Sequence, residues 1–173
     1  MGKLILISGC NDSGKSLFAE QLIAQTRGER YYIATMIPCT QENHRRIEKH
    51  RLQREGLGFQ TLEFTYQVGN APVTADSVVL LEDVSNLLAN AVFEKDGDAR
   101  SVCQDILALA ARCRVLVAVT ITGLSAEGCD TETVSYIHGL EQLNHMLFAS
   151  ASVAVTMWDG QPVYEKGDAY DLT

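Results

Sequence analysis

Positive charge is what this chain is shortest of: 14 Lys and Arg stand against 22 Asp and Glu in 173 residues, a formal net charge of −8. Nucleic-acid-binding surfaces are normally basic, so this balance argues against one, and an anionic ligand must be met by a local cluster of cations. Long apolar runs are missing as well. No stretch approaches the roughly 20 residues that a membrane-spanning helix needs. Met1-Gly2-Lys3 leads straight into the short apolar segment Leu4-Ile5-Leu6-Ile7, too brief for the apolar region of a secretory signal. The expectation is a cytoplasmic protein with no membrane span. N-myristoylation is excluded at Leu6, where that motif requires Ser or Thr. The cysteines, Cys10, Cys39, Cys103, Cys113 and Cys129, include no C-x-x-C pair, so no zinc or redox motif is legible and reduced thiols are expected. Internal repeats, low-complexity tracts and linkers are absent too. The length suits one domain, residues 1–173, and 46% hydrophobic residues suffice for a core.

What is present is concentrated near the start. Gly9-Cys10-Asn11-Asp12-Ser13-Gly14-Lys15-Ser16 follows the apolar run and leads into Leu17-Phe18-Ala19-Glu20-Gln21-Leu22-Ile23. The spacing G-x-x-x-x-G-K-S between a strand and a helix is that of a phosphate-binding loop. Successive backbone N–H groups in a glycine-permitted turn curl around phosphate oxygens at the positive end of a helix. Lys15 is placed to reach the outer phosphates and the Ser16 hydroxyl to hold Mg²⁺. The partners implied are ATP or GTP with Mg²⁺.

Along the rest of the chain, the first helix is expected to end near Arg27-Gly28 and a buried strand to run from Arg30 to Thr35, closed by Pro38. A polar helix is expected from Gln41 to Arg54, broken by Gly56 and Gly58, then an exposed strand over Gln60–Phe64. Ser77–Leu81 reads as a buried parallel strand with Glu82 and Asp83 at its carboxyl end, where a metal-organising acid belongs in a phosphate-loop protein. Helices over 85–93 and 99–113, a strand over 115–120, a loop over 123–130 and a helix over 131–149 follow. A hairpin turned at Asp159-Gly160 closes the chain, and the last residues are expected to fray. Strands alternating with helices predict a doubly wound, mostly parallel α/β sheet with ligands at the carboxyl ends of its strands.

The polar helix holds the scarce cations: Arg45, Arg46, Lys49, Arg51 and Arg54, with His44 and His50. Arg46, His50 and Arg54 recur at i, i+4 spacing, which predicts an imidazole stacked between two guanidiniums, kept neutral by them and able to attack phosphorus. A solvated basic face is the plainer reading of such a helix.

The combined pattern resembles the adenosylcobinamide kinase / adenosylcobinamide-phosphate guanylyltransferase family of cobalamin biosynthesis. The matching pieces are the phosphate loop, Tyr32-Ile33-Ala34-Thr35-Met36, Arg46-Ile47-x-x-His50-x-x-x-Arg54, Thr61-x-Glu63 and Leu80-Leu81-Glu82-x-x-Ser85-Asn86-Leu87-Leu88-Ala89-Asn90, with a fainter match at Leu140-Glu141-x-Leu143-Asn144. The resemblance implies a RecA-like phosphate-loop fold and a homotrimer. It implies phosphorylation of an adenosylcobinamide hydroxyl by a nucleoside triphosphate, then transfer of GMP from GTP to that phosphate through a GMP-histidine intermediate. By motif position the histidine is His50, with Lys15 and Glu82 as further catalytic groups. Nucleotide contacts fall on Gly9–Ser16, on Ala34, Thr35 and Met36, on Arg51, Leu52, Gln53 and Arg54, and on Glu63 and Glu82; Ser16 and Glu82 are the metal candidates. The chain departs from the family pattern at Ser8 and Asp12 and over Ile121–Gly128. These departures leave open a phosphate-loop kinase of another small alcohol, or a catalytically weak GTP-binding regulator.

Overall fold

A computed structural model describes residues 2–172. The elements in chain order are β1 (Lys3–Ser8), α1 (Lys15–Ala24), β2 (Arg30–Ala34), α2 (Gln41–Gln53), β3 (Phe59–Glu63), β4 (Val78–Glu82), α3 (Val84–Glu94), α4 (Ala99–Arg112), β5 (Val115–Val119), α5 (Thr131–Ser150), β6 (Val153–Trp158) and β7 (Gln161–Lys166). Short 3-10 turns occupy Val68–Asn70 and Ala169–Leu172. The strands form one sheet of order β3-β2-β4-β5-β1-β6-β7, parallel throughout except for β7. This is the doubly wound arrangement expected of alternating strands and helices.

The interior strands explain themselves. In β4 and β5 every residue is buried, as required of strands covered on both faces, and their Val and Leu content suits a pleated interior. The edges are polar: β3 is mostly exposed, and β7 carries Pro162, Glu165 and Lys166 where unpaired strand edges invite association.

Strand alternation divides the core into two layers. Leu4, Leu6, Ile33, Val79, Leu81, Leu116 and Ala118 pack under α3, α4 and α5. Ile5, Ile7, Tyr32, Val78, Leu80, Val117 and Val119 face the other way, where Ala19, Leu22 and Ile23 of α1 cover them. At about 1.5–3 kcal/mol for each fully buried aliphatic side chain, these layers supply the main driving force for folding. No residue of α2 is buried.

Helix starts follow their caps. Thr40, Asp83, Asp98 and Asp130 each accept a hydrogen bond from the backbone N–H three residues on, and Asp98 completes a capping box with Ser101. One expectation is corrected. Helix α1 stops at Ala24, short of Arg27-Gly28, because the Arg30 guanidinium donates to the carbonyls of Ala24 and Thr26 and caps the final turn. Near the chain end the Asp171 carboxylate accepts from the Asp168 N–H within the turn Ala169–Leu172; the expected fraying of the last residues falls in part on Thr173, which lies outside the described residues.

Candidate active site

The loop between β1 and α1 opens the site at the carboxyl end of β1. Gly9 is buried, and a Cβ there would lie 2.5 Å from Ser13 Oγ and 2.9 Å from the Met157 carbonyl, so nothing larger fits. Gly14 has φ +93°, a left-handed conformation that glycine adopts without strain, and it begins α1 with no side-chain cap. The uncapped N-terminus leaves amides and the positive end of the helix dipole for a ligand. Asp12 is exposed with φ 56°, which Asp tolerates better than most residues. Two neighbours brace the loop: the Gly160 N–H at the β6–β7 turn donates to the Ser13 carbonyl (3.0 Å), and the Thr122 N–H donates to the Gly9 carbonyl (3.0 Å). Lys15 folds back, its Nζ donating to the Cys10 carbonyl at 2.7 Å, and burial lowers its pKa against the opposing pull of Asp83, Cys10, Glu82 and Asp12.

Sheet register brings a second set of residues to the same end. Ala34 is paired with Glu63 on one side and with Glu82 on the other, so these three form a row across the strand ends. Glu82 stands at the centre of the contacts. Its Oε1 accepts from the Ser16 hydroxyl, its Oε2 accepts from the Tyr32 hydroxyl at 3.0 Å, and His50 Nδ1 lies 4.0 Å from the same Oε2. Burial, with Glu82 next in effect, raises the Tyr32 phenol far above its ordinary value. Asp83 is committed elsewhere: its Oδ1 accepts from the Asn86 N–H and the Ser85 hydroxyl at the start of α3. Thr35 anchors that corner, donating its hydroxyl to the Asp83 carbonyl (2.9 Å) and accepting from the Asp83 N–H (2.8 Å).

Helix α2 docks through its carboxyl end. Gln53 Nε2 donates to Glu20 Oε2 at 2.6 Å, and the Arg54 guanidinium sits 3.5 Å above the Tyr32 ring while donating to Thr61 Oγ1. Glu20 is buried, and burial pushes its carboxyl up to about 7, against the Gln53 hydrogen bond that favours the charged form. Glu20 Oε1, His50 Nδ1, Arg54 Nη1 and Ser13 Oγ are buried with no hydrogen-bond partner. Buried polar groups are nearly always satisfied, so unpartnered atoms on Glu20, His50 and Arg54, which lie close to one another, mark a place prepared for a ligand.

Comparison with known proteins fits this geometry. Residues 5–164 match the family described as cobinamide kinase / cobinamide phosphate guanyltransferase. The chain belongs to that family. One curated relative, the bifunctional adenosylcobalamin biosynthesis protein CobU of Escherichia coli (strain K12), is 36% identical over 98 residues, covering 55% of this chain and 53% of the relative. The match thus spans about half the relative's length. Solved structures with similar folds include the PH0250 protein of Pyrococcus horikoshii OT3 (TM-score 0.58, 8% identity, 99% of this chain and 90% of that one). A prototypical ATPase from the type III secretion system of pathogenic bacteria gives a TM-score of 0.54 at 9% identity, over 99% of this chain and 60% of the ATPase. Identities this low speak only of the fold, which is the RecA-like α/β arrangement.

The structure gathers Lys15, Ser16, Tyr32, His50, Arg54 and Glu82 into one network, while the Ser13 hydroxyl is left without a partner in the loop. It does not form the expected sandwich of His50 between Arg46 and Arg54: Arg46 is exposed, Arg54 turns onto Tyr32, and the charged neighbour facing the imidazole is the Glu82 carboxylate. The reason is the helix end, where Arg54 follows the last residue of α2 and is drawn to the β2 ring. Arg51 is exposed and paired with Glu48 at 2.6 Å, and Leu52 is 52% exposed. Met36 is half-buried after β2, and Glu63 is exposed at the end of β3. Sequence reasoning passed over Glu20 and assigned Tyr32 no role. Glu20 had a legible signal: an acid in the apolar run of α1, one helical turn after Ser16 and therefore on the same face.

Proposed function

We propose that this chain acts as one phosphate-loop domain that phosphorylates the hydroxyl of adenosylcobinamide with ATP or GTP, then transfers GMP from GTP to the phosphate. The observation that carries this reading is the position of Glu82, in contact with Ser16 of the phosphate loop and 4.0 Å from the imidazole of His50. One carboxylate thus joins the nucleotide cradle to a nitrogen nucleophile.

In the kinase step, the loop amides and Lys15 hold the outer phosphates while the corrinoid hydroxyl forms a bond to the γ-phosphorus, its proton passing to an oxygen of the transferred phosphoryl group. The bridging P–O bond breaks and the nucleoside diphosphate leaves with its electron pair. In the transfer step, His50 Nδ1 faces Glu82, which leaves Nε2 to attack the α-phosphorus. An N–P bond forms, the α–β bridging P–O bond breaks, and pyrophosphate departs. A phosphate oxygen of the phosphorylated corrinoid then displaces His50, whose nitrogen recovers the N–P electron pair. Arg54, with its unpartnered Nη1, is available to offset charge on the transferring group. Mg²⁺ would be held by the Ser16 hydroxyl and the Glu82 carboxylate, a pair of hard oxygen donors in mutual contact that suits that ion, and would neutralise phosphate charge.

Resemblance to the family supports a homotrimer, which would cover exposed apolar side chains such as Leu17 and Leu52, and the use of nucleotide substrates supports a cytoplasmic location. The deciding experiment is intact-protein mass spectrometry at mildly alkaline pH after incubation with GTP and Mg²⁺. A GMP adduct is expected in the wild type and in His44→Ala, and none in His50→Ala. GTP-bound wild type without an adduct would remove the transferase half of the reading and leave a kinase.

A further inference from the structure

Glu20, His50 and Glu82 come from three elements, α1, α2 and β4, yet one donor atom from each lies within 4.8 Å of the others. Glu20 and Glu82 are buried, at 1% and 9% exposure. The two carboxylates are therefore fixed in the protein interior and are not flexible acids on its surface. Glu20 Oε1 and His50 Nδ1 are both buried and lack any hydrogen-bond partner, so each has an uncommitted lone pair or proton at the same place. The remaining contacts fix the carboxylates from outside: Gln53 holds Glu20 Oε2, and Tyr32 and Ser16 hold the two oxygens of Glu82. Outer hydrogen bonds of this kind orient ligands in metal centres. Arg54 is directed onto the Tyr32 ring.

We propose that Glu20, His50 and Glu82 bind a borderline divalent cation of the Zn²⁺ class in the nucleotide-free protein, through one imidazole nitrogen and two carboxylates. A mixed nitrogen and oxygen donor set favours such ions over Mg²⁺, which takes oxygen ligands and keeps its water. Three protein ligands leave coordination positions for water or a phosphate oxygen. This site differs from the Mg²⁺ position between Ser16 and Glu82, shares only Glu82 with it, and does not depend on His50 being a nucleophile. A bound ion would occupy His50 and Glu82 together, so it would compete with the nucleotide-loaded state.

The test is spectroscopic titration of the nucleotide-free protein with Co²⁺, a stand-in for Zn²⁺ whose visible bands report its ligands. The exposed thiols Cys10, Cys39 and Cys129 are the competing ligands, and thiolate ligation would show a near-ultraviolet charge-transfer band. The expected result is one ion per chain, visible d–d bands and no thiolate band, with affinity reduced at least about tenfold in both Glu20→Gln and His50→Ala. Glu48→Gln, an exposed change on α2, should bind as the wild type does. Equal binding by the wild type, Glu20→Gln and His50→Ala would overturn the proposal, as would a thiolate band, or loss in His50→Ala without loss in Glu20→Gln. His50 lies on a helix with no buried residue, so His50→Ala keeps the fold and decides the matter if Glu20→Gln fails to accumulate.

Discussion

Removing one oxygen atom tests how the site is held together. In Tyr32→Phe the aromatic ring remains, keeping its edge contact with Phe59 and its place beneath Arg54, while the hydrogen bond from the hydroxyl to Glu82 Oε2 is lost. That bond is 3.0 Å long between residues 5% and 9% exposed, so water cannot readily replace the missing donor. A hydrogen bond to a charged group contributes about 1.5–3 kcal/mol net. At roughly 2–4 °C per kcal/mol for a domain of this size, the melting temperature should fall by about 3–12 °C. Reversible thermal unfolding followed by circular dichroism, with chelator present and nucleotide absent, measures it. The same substitution in a Glu82→Ala background should cost far less, because the acceptor is already gone. A shift below about 1 °C, or an undiminished shift in that background, would refute the argument that this bond organises the site.

Lys15→Ala should abolish most of the thermal stabilisation by GTP and Mg²⁺ while leaving the ligand-free melting temperature unchanged, since Lys15 bonds only to its own loop; equal stabilisation of both proteins would sink the phosphate-loop assignment. Asp98 is held below its ordinary carboxylate pKa by the Ser101 backbone N–H and then by the Ser101 hydroxyl, so its contribution to stability is present above the unfolded value of 3.8 and lost as pH falls through the lower folded value. Asp98→Asn should therefore narrow the gap between urea midpoints at neutral and at strongly acid pH; an unchanged gap would mean that the cap carries no charge-dependent stability.

The fold was legible because its signals are local. Buried runs such as Val78–Leu81, turn residues such as Asp159-Gly160, and helix starts with Asp caps each act within a few residues of chain. Element limits were less legible where a distant side chain intervened, as Arg30 does at the end of α1. In the site, the phosphate loop could be read from its motif, while the strand end offered Glu82 and Asp83 alike and only the family resemblance pointed to Glu82. The surroundings of His50 could not be read. Spacing along α2 placed it between two arginines, but the orientation of Arg54 is set by an aromatic ring on β2, and Glu20 reaches the cluster from α1. Contacts assembled from three elements leave no periodic trace in any one of them.

The sheet is covered unevenly, by three helices on one face and by α1 on the other, and α1 is also the helix at whose amino end we propose that the phosphates bind. Occupancy at its first turn and packing along Ala19, Leu22 and Ile23 are consequently one thermodynamic quantity viewed from two ends. A substitution such as Ile23→Val, which touches no ligand, weakens the platform on which nucleotide affinity is built. Bound nucleotide in turn clamps the only helix of the described core that shields that half of the sheet. On that proposal, nucleotide supply and the lifetime of the folded protein would be coupled through α1: with nucleotide scarce, this is the layer whose opening would expose the sheet.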